Sequence, residues 1–182
     1  QITARRGLAS SKIAASVRLG IDVGLDRVAE TARTFGLGIP DDRLRNRMLV
    51  GWDKISLPEL TLGYTAFPRG GNRITETFYV RGIWDRDGKP VFTSNHLNSS
   101  PREERACTDA TAFQVHTILN DVVKRGNLSD ASVGLSEELF NGGAKTGTPY
   151  GFTDAWMVGY NSRITCGVWI GFHKSNRKAI HG

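Results

Sequence analysis

Apolar residues recur at two spacings along this chain: helical through its first half and again near residue 115, then alternating toward the C-terminal end. From Leu25, the positions Val28, Ala29, Ala32 and Phe35 keep to one helical face until Gly36 stops the run. Ser56 followed by Glu59 makes a capping-box pattern, with Pro58 tolerated in the first turn. That helix is expected to run through Leu60 and Tyr64 to about Phe67, ending at Pro68 and Gly70-Gly71. The strongest helix signal is "TDATAFQVHTILNDVVKRG". Thr108 caps it, and Ala112, Val115, Ile118, Leu119, Val122 and Val123 form one stripe. Lys124-Arg125-Gly126 close it with the charge sign that a helix C-terminus favours. The stripe reads as core, and His116 at its edge as an ordinary part of the helix.

Between these helices, "ETFYVRGIWD" is rich in β-branched and aromatic residues, and "DRDGKPVF" supplies a turn and a return strand. Asp85, Asp87 and Gly88 resemble the start of a calcium loop, but the remaining acidic positions and the closing glutamate are missing, so a turn is expected. Near the end, "AKTGT", "DAWMVGYN" and "TCGVWIGF" are three short strands, and Asn161-Ser162-Arg163 turns the last two into a hairpin. In the last strand Cys166, Val168, Ile170 and Phe172 alternate with Thr165, Gly167, Trp169 and Gly171. The first set suits a packed face, and the glycines on the other let something approach the backbone closely. Helices followed by an antiparallel group, without repeated βαβ units, predict an α+β fold.

Composition narrows the function only slightly. The 182 residues suit one domain, with 39% apolar and 23% charged residues and a net charge of +6. The charge suits an anionic partner such as a membrane face or an acidic wall polymer. Nucleic acid is not expected, because no basic stripe with interleaved aromatics appears; Arg43, Arg45 and Arg47 read as a solvated face. Cys107 and Cys166 fit neither a metal knuckle nor a redox pair; they read as buried or isolated thiols, with a disulfide between them left open. His96, His116, His173 and His181 lack ligand spacing, so no metal and no cofactor is expected. The sequons at Asn98 and Asn127 are of a kind common by chance. No apolar run approaches membrane-spanning length. The chain opens at Gln1 directly in what reads as mid-domain structure, so both ends are expected to be cut.

The chemistry centres on "NGGAKTGTPYGFTDAW". A strand bearing Lys145, Thr146, Gly147 and Thr148 offers a cation, two hydroxyls and a position without a side chain. Thr146 and Thr148 share one strand face; Lys145 points the other way, with a stem long enough to curl toward a pocket. Such a strand edge can pair with an extended peptide and hold its carboxylate. KTG is also one of the three motifs of serine β-lactamases and penicillin-binding proteins. The stretch "GGAKTGTPYGFTDAWMVGYNSRITCGVWIGF" resembles the third-motif strand and following hairpin of penicillin-binding proteins, and its FTDAW and VGY parts resemble the class A, bifunctional type. Upstream, "DVGLDRVAETARTFGL", "SLPELTLGYTAFPRGGNRI", "IWDRDGKPVF" and "ATAFQVHTILNDVVKRG" resemble successive transpeptidase segments in the same order.

The resemblance covers nearly all of residues 1–182, as the C-terminal portion of one transpeptidase domain with a partial penicillin-binding-protein and β-lactamase-like fold, an antiparallel sheet packed with helices. It implies a serine acyl transferase acting on the D-Ala-D-Ala end of peptidoglycan stem peptides and trapped by β-lactams. Lys145 would be catalytic. Thr146, Gly147 and Thr148 would contact substrate, with the Thr148 N–H forming part of an oxyanion hole. The second motif, serine-any-asparagine, falls in "LASSKIAASVRLG". A match through VRLG places it at Ser11-Lys12-Ile13, and one through SKIAA at Ser10-Ser11-Lys12. Ser11 is preferred and Ser10 is the alternative; neither triplet ends in asparagine. A plainer reading has either serine capping the helix that follows.

The first motif, SxxK, belongs upstream. The only match, Ser175 to Lys178, follows KTGT in a polar tail and reads as chance. The nucleophile, any glycosyltransferase domain and a membrane anchor at the bacterial cell envelope are therefore expected in a missing upstream part, and the fragment alone is expected to be inactive. A carboxypeptidase or β-lactamase of the same superfamily is one alternative. A degenerate wall-binding scaffold, suggested by the lost asparagine, is another.

Overall fold

The computed structural model describes residues 2–39, 46–51, 55–94, 99–126, 128–129, 141–148 and 153–172. Arg43, Arg45, His96, His173, His181, the sequon residues Asn98 and Asn127, and the run Ser175 to Lys178 lie outside them. Helices α1 (Ala4–Ala9), α2 (Ile13–Val23), α3 (Leu25–Thr34) and α4 (Leu57–Tyr64) precede the short strands β1 (Asn72–Ile74), β2 (Gly82–Trp84), β3 (Pro90–Thr93) and β4 (Glu103–Arg105). Helix α5 (Asp109–Arg125) and the strands β5 (Gly143–Gly147), β6 (Asp154–Tyr160) and β7 (Thr165–Gly171) follow. The α+β order expected from the sequence is the one observed.

Local signals set most of these elements. Helix α3 stops where Gly36 takes a φ of 83°, a conformation that side chains disfavour. At α4 the capping box forms: Ser56 Oγ accepts from the Glu59 N–H, and the Glu59 carboxylate accepts from the Ser56 N–H at 2.8 Å. That helix ends at Tyr64, earlier than the spacing suggested. Thr65 caps it, and its hydroxyl also accepts from the Ile74 N–H at 2.8 Å, tying the helix end to β1. On α5, Thr108 Oγ1 accepts from the Thr111 N–H, and Ala112, Leu119, Val122 and Val123 are buried, with Val115 and Ile118 half-buried. His116 Nδ1 lies 3.1 Å from the Tyr160 hydroxyl, so it links α5 to β6. Burial, and then neighbouring Tyr64, push that hydroxyl above its ordinary range.

The strands form three antiparallel groups. β2 and β3 make a hairpin in which the Asp85 carboxylate accepts from the N–H groups of Asp87 and Lys89, the expected turn. β1 pairs with β4, a pairing not foreseen from the sequence, and Arg73 faces Glu104 across it at 2.7 Å. β5, β6 and β7 form a sheet in that order, with β6 central. Asn161 Oδ1 accepts from the Arg163 and Ile164 N–H groups and closes the β6–β7 turn.

Register shows which face of this sheet is covered. Lys145, Val158 and Gly167 lie directly opposite one another across the three strands and share a face. α5 packs there: a Cβ on Gly143 would sit 2.8 Å from the Leu119 Cβ. α4 packs there too: a Cβ on Gly167 would sit 3.0 Å from Leu57 Cδ1. The glycines thus admit a close neighbour, as expected. The companion expectation fails. Val168 is 45% and Ile170 60% exposed, and Cys166 and Phe172 are exposed with them. Among the described residues the helices settle on the glycine-bearing face, where the backbone can be approached most closely.

The capping box generates a pH-dependent prediction. Hydrogen bonds from the Ser56 side chain and then its backbone hold the Glu59 carboxyl below its ordinary range. A depressed carboxyl contributes stability above its unfolded pKa and loses it as the pH falls through its folded pKa. Ser56→Ala is expected to cost about 1 kcal/mol near neutrality. In denaturant titrations the gap from wild type should narrow toward about pH 3. A gap independent of pH would show that the carboxylate half of the box contributes nothing.

Candidate active site

Ser11 sits where α1 ends, in a backbone conformation usually left to glycine. Its N–H donates to the Leu8 carbonyl at 3.1 Å, and the next N–H, of Lys12, donates to the Gly7 carbonyl at 2.7 Å. These two bonds define a Schellman ending, whose left-handed position falls on Ser11 with φ 50°. Among the described residues it is the one non-glycine residue with positive φ. A side chain there costs roughly 1–2 kcal/mol relative to a right-handed conformation. Helix capping does not explain the serine. The N-cap residue of α2 is Lys12, without a side-chain cap bond, and Ser10 is the C-cap residue of α1.

The Ser11 hydroxyl instead meets the lysine of the KTGT strand. Lys145 Nζ donates to Ser11 Oγ at 2.6 Å and to the Thr146 carbonyl at 2.8 Å, across 134 residues of sequence in the first case. The long stem curls back along β5, as the residue type allows. Burial of the ammonium holds the Lys145 pKa below the usual lysine range, because desolvation penalises its charged form. With Oγ accepting from the lysine, the Ser11 O–H remains able to donate to a further group. The pair can therefore deliver a proton and present positive charge at one point.

The remaining sequence-predicted residues occupy the end of the same strand. Thr146 is half-buried and pairs with Met157, on the sheet face opposite Lys145. Gly147 and Thr148 are exposed, Thr148 just beyond the last residue of β5. The structure thus brings Ser11 and Lys145 together, but turns the Thr146 side chain to the other face of the strand and leaves Thr148 just past its end. β5 lies at one side of its sheet, with its outer backbone edge unpaired among the described strands. No group of three or more potential metal ligands occurs among the described residues. Ile13, the third residue of the triplet that begins at Ser11, is 63% exposed.

Two supporting contacts escaped the sequence reading. Arg5 on α1 donates to the Asp121 carboxylate and to Thr117 Oγ1 on α5, each at 2.7 Å. Asn120 Nδ2 donates to the Gly142 carbonyl at 2.7 Å, just before β5. Nothing in residue type or spacing marks them, since each joins segments far apart in the chain.

Comparison with known proteins bears on the same residues. A family profile described as the penicillin binding protein transpeptidase domain matches residues 1–180. Penicillin-binding protein 1A of Neisseria meningitidis is 28% identical over 173 residues, covering 95% of this chain and 21% of the relative. That of Rickettsia bellii is 29% identical over 189 residues, covering 94% of this chain and 23% of the relative. The chain therefore spans about a fifth of the length of these curated relatives. Among solved structures, penicillin-binding protein 1A from Haemophilus influenzae superposes with a TM-score of 0.77 at 22% identity, over 95% of this chain and 30% of that one. Penicillin binding protein 3 from Mycobacterium tuberculosis, complexed with aztreonam, gives 0.66 at 19% identity, over 86% and 41%. These likenesses show the fold, and the profile match along almost the whole chain shows the family: the chain belongs to the penicillin-binding-protein transpeptidases, and its curated relatives are of the class A type.

Proposed function

We propose that this chain forms the substrate-binding wall of a peptidoglycan D,D-transpeptidase, which cross-links wall stem peptides through a serine acyl-enzyme and is acylated by β-lactams. The observation that carries this reading is the hydrogen bond from Lys145 to a strained Ser11 beside an open strand edge, in a chain of this family. A serine hydroxyl supplied by an upstream part of the domain attacks the D-Ala-D-Ala amide carbon. The bond to the terminal D-Ala breaks and an acyl-serine forms; the amine of a second stem peptide then displaces the serine. The donor peptide lies along the outer edge of β5, unpaired among the described strands, where Gly147 permits close approach. Lys145 attracts its terminal carboxylate, and Thr148, just past the end of the strand, offers it a hydroxyl. The Thr148 N–H faces the developing oxyanion. Ser11 passes its proton toward the departing amine and is resupplied from Lys145.

The full protein, in this reading, is held by an upstream membrane anchor on the outer face of the cytoplasmic membrane. No described helix is itself long and apolar enough to cross one. Ile13 supports the competing scaffold reading, since it lacks the amide of asparagine. Covalent labelling decides between them.

The full-length protein should label with a fluorescent penicillin and lose the label when the upstream serine is replaced. A folded full-length protein that does not label is a scaffold. Lys145→Ala and Ser11→Ala should each slow acylation about 100-fold without unfolding. Ser11→Gly should be equally slow yet no less stable than wild type, because it relieves the positive φ; an unchanged rate in these variants would assign the strand a structural role.

The lowered Lys145 pKa fixes a sign for the pH profile. The amine loses its proton earlier than an ordinary lysine, so the rate should fall on the alkaline side below about pH 10.4. Lys145→Arg, which keeps its charge, should abolish that limb at a reduced overall rate. A limb that survives in Lys145→Arg belongs to another group.

A further inference from the structure

Ser11 and Lys145 sit on elements that pack very little against each other. α1 packs on α5, and α5 packs on β5. The 2.6 Å hydrogen bond between the two side chains therefore depends on how α5 holds each of its neighbours. We infer that Arg5, gripping Asp121 and Thr117, is a positioning residue that sets Ser11 at hydrogen-bonding distance from Lys145. This inference rests on the functional reading of the Ser11–Lys145 pair given above.

The geometry of the grip supports the role. Asp121 and Thr117 stand one turn apart on α5, and the two terminal nitrogens of one guanidinium reach both at 2.7 Å. A planar fork on two points of one helix fixes rotation as well as distance, which a single contact does not. Arg5 lies in the first turn of α1 and Ser11 just past its last, about 9 Å along the axis at 1.5 Å per residue. A six-residue helix does not hold its own shape in water, so its orientation comes from what it touches. At the other end of the contact, a Cβ on Gly126 would run into the Ala9 carbonyl oxygen, so α5 also bears on the turn that carries Ser11. On the β5 side, the Asn120 bond to the Gly142 carbonyl and the Leu119 contact with Gly143 hold the strand to the same turns of α5.

Stability does not account for the grip. Arg5 is 48% exposed and Asp121 27%, and such a pair contributes little to folding in water. Placement does: a misplacement of about 1 Å in a catalytic constellation can cost about 100-fold in rate.

The test is a double-mutant cycle in the full-length protein, read as the rate of acylation by a fluorescent penicillin. Arg5→Ala is expected to slow acylation about 10-fold or more, with a melting temperature close to wild type. In a Ser11→Ala background the same change should have no further effect. Arg5→Lys, a point cation without the fork, should fall between. Asp121→Asn, which still accepts a hydrogen bond, should retain more activity than Asp121→Ala. Equal slowing in both backgrounds, or none in wild type, overturns the inference. A crystal structure of Arg5→Ala reads the geometry without any activity: Ser11 Oγ should lie beyond hydrogen-bonding distance of Lys145 Nζ, and an unchanged bond refutes the role. Failure of the wild-type protein to label would sink the transpeptidase reading alone, and the crystallographic distance would still decide the positioning.

Discussion

The packing of α5 onto β5 brings a helix stripe containing Leu119 down on a strand that begins with glycine. A side chain at Gly143 would collide with both the Leu119 Cβ and the Tyr160 ring, so the close contact exists only because that volume is empty. Burying Leu119 and Val122 on this helix stabilises the fold by roughly 1.5–3 kcal/mol each. The polar contacts around it are worth far less individually, about 0–1 kcal/mol for an exposed ion pair such as Arg5–Asp121. The magnitudes divide the labour: packing holds α5 to the sheet, and the polar contacts decide where its neighbours sit on it.

Two locally unfavourable features meet at one point as a result. Ser11 holds a left-handed backbone where glycine would be cheaper, and Lys145 keeps an ammonium partly out of water. Neither helps folding in isolation. Strain and desolvation coincide here at a hydrogen bond between distant segments, held in place by the packing around it. Lys145 stands on β5, whose outer backbone edge is unpaired among the described strands.

Much of this was legible in the sequence. The α5 stripe, the capping box of α4, the Asp85 turn and the β6–β7 hairpin each follow from contacts within a few residues, which is where pattern and propensity carry information. The KTGT strand was legible from its motif and its ordered neighbours. What was missed involved distant partners. Thr65 ends α4 early because its hydroxyl serves Ile74 in β1 as well as closing the helix. β1 and β4 are short strands joined from some thirty residues apart, and neither carries a period of its own. The alternation in β7 specifies a two-faced strand but not which face is covered: apolar Val168 and Ile170 suggest one face, and the helices lie on the other, at Gly167.

The sequence by itself determined the locally coded elements, the α+β order and the family, because helix periodicity, caps, turn residues and ordered motifs are properties of contiguous residues. It left Ser10 and Ser11 open as partners for the lysine, since one residue of alignment shift separates them. The tertiary structure places Ser11, and not Ser10, against Lys145. The Schellman ending of α1 turns residue 11 into the left-handed position, and α5 carries that turn to within 2.6 Å of the lysine amine. A contact between residues 134 positions apart is set by the packing of the elements between them, which no local pattern specifies.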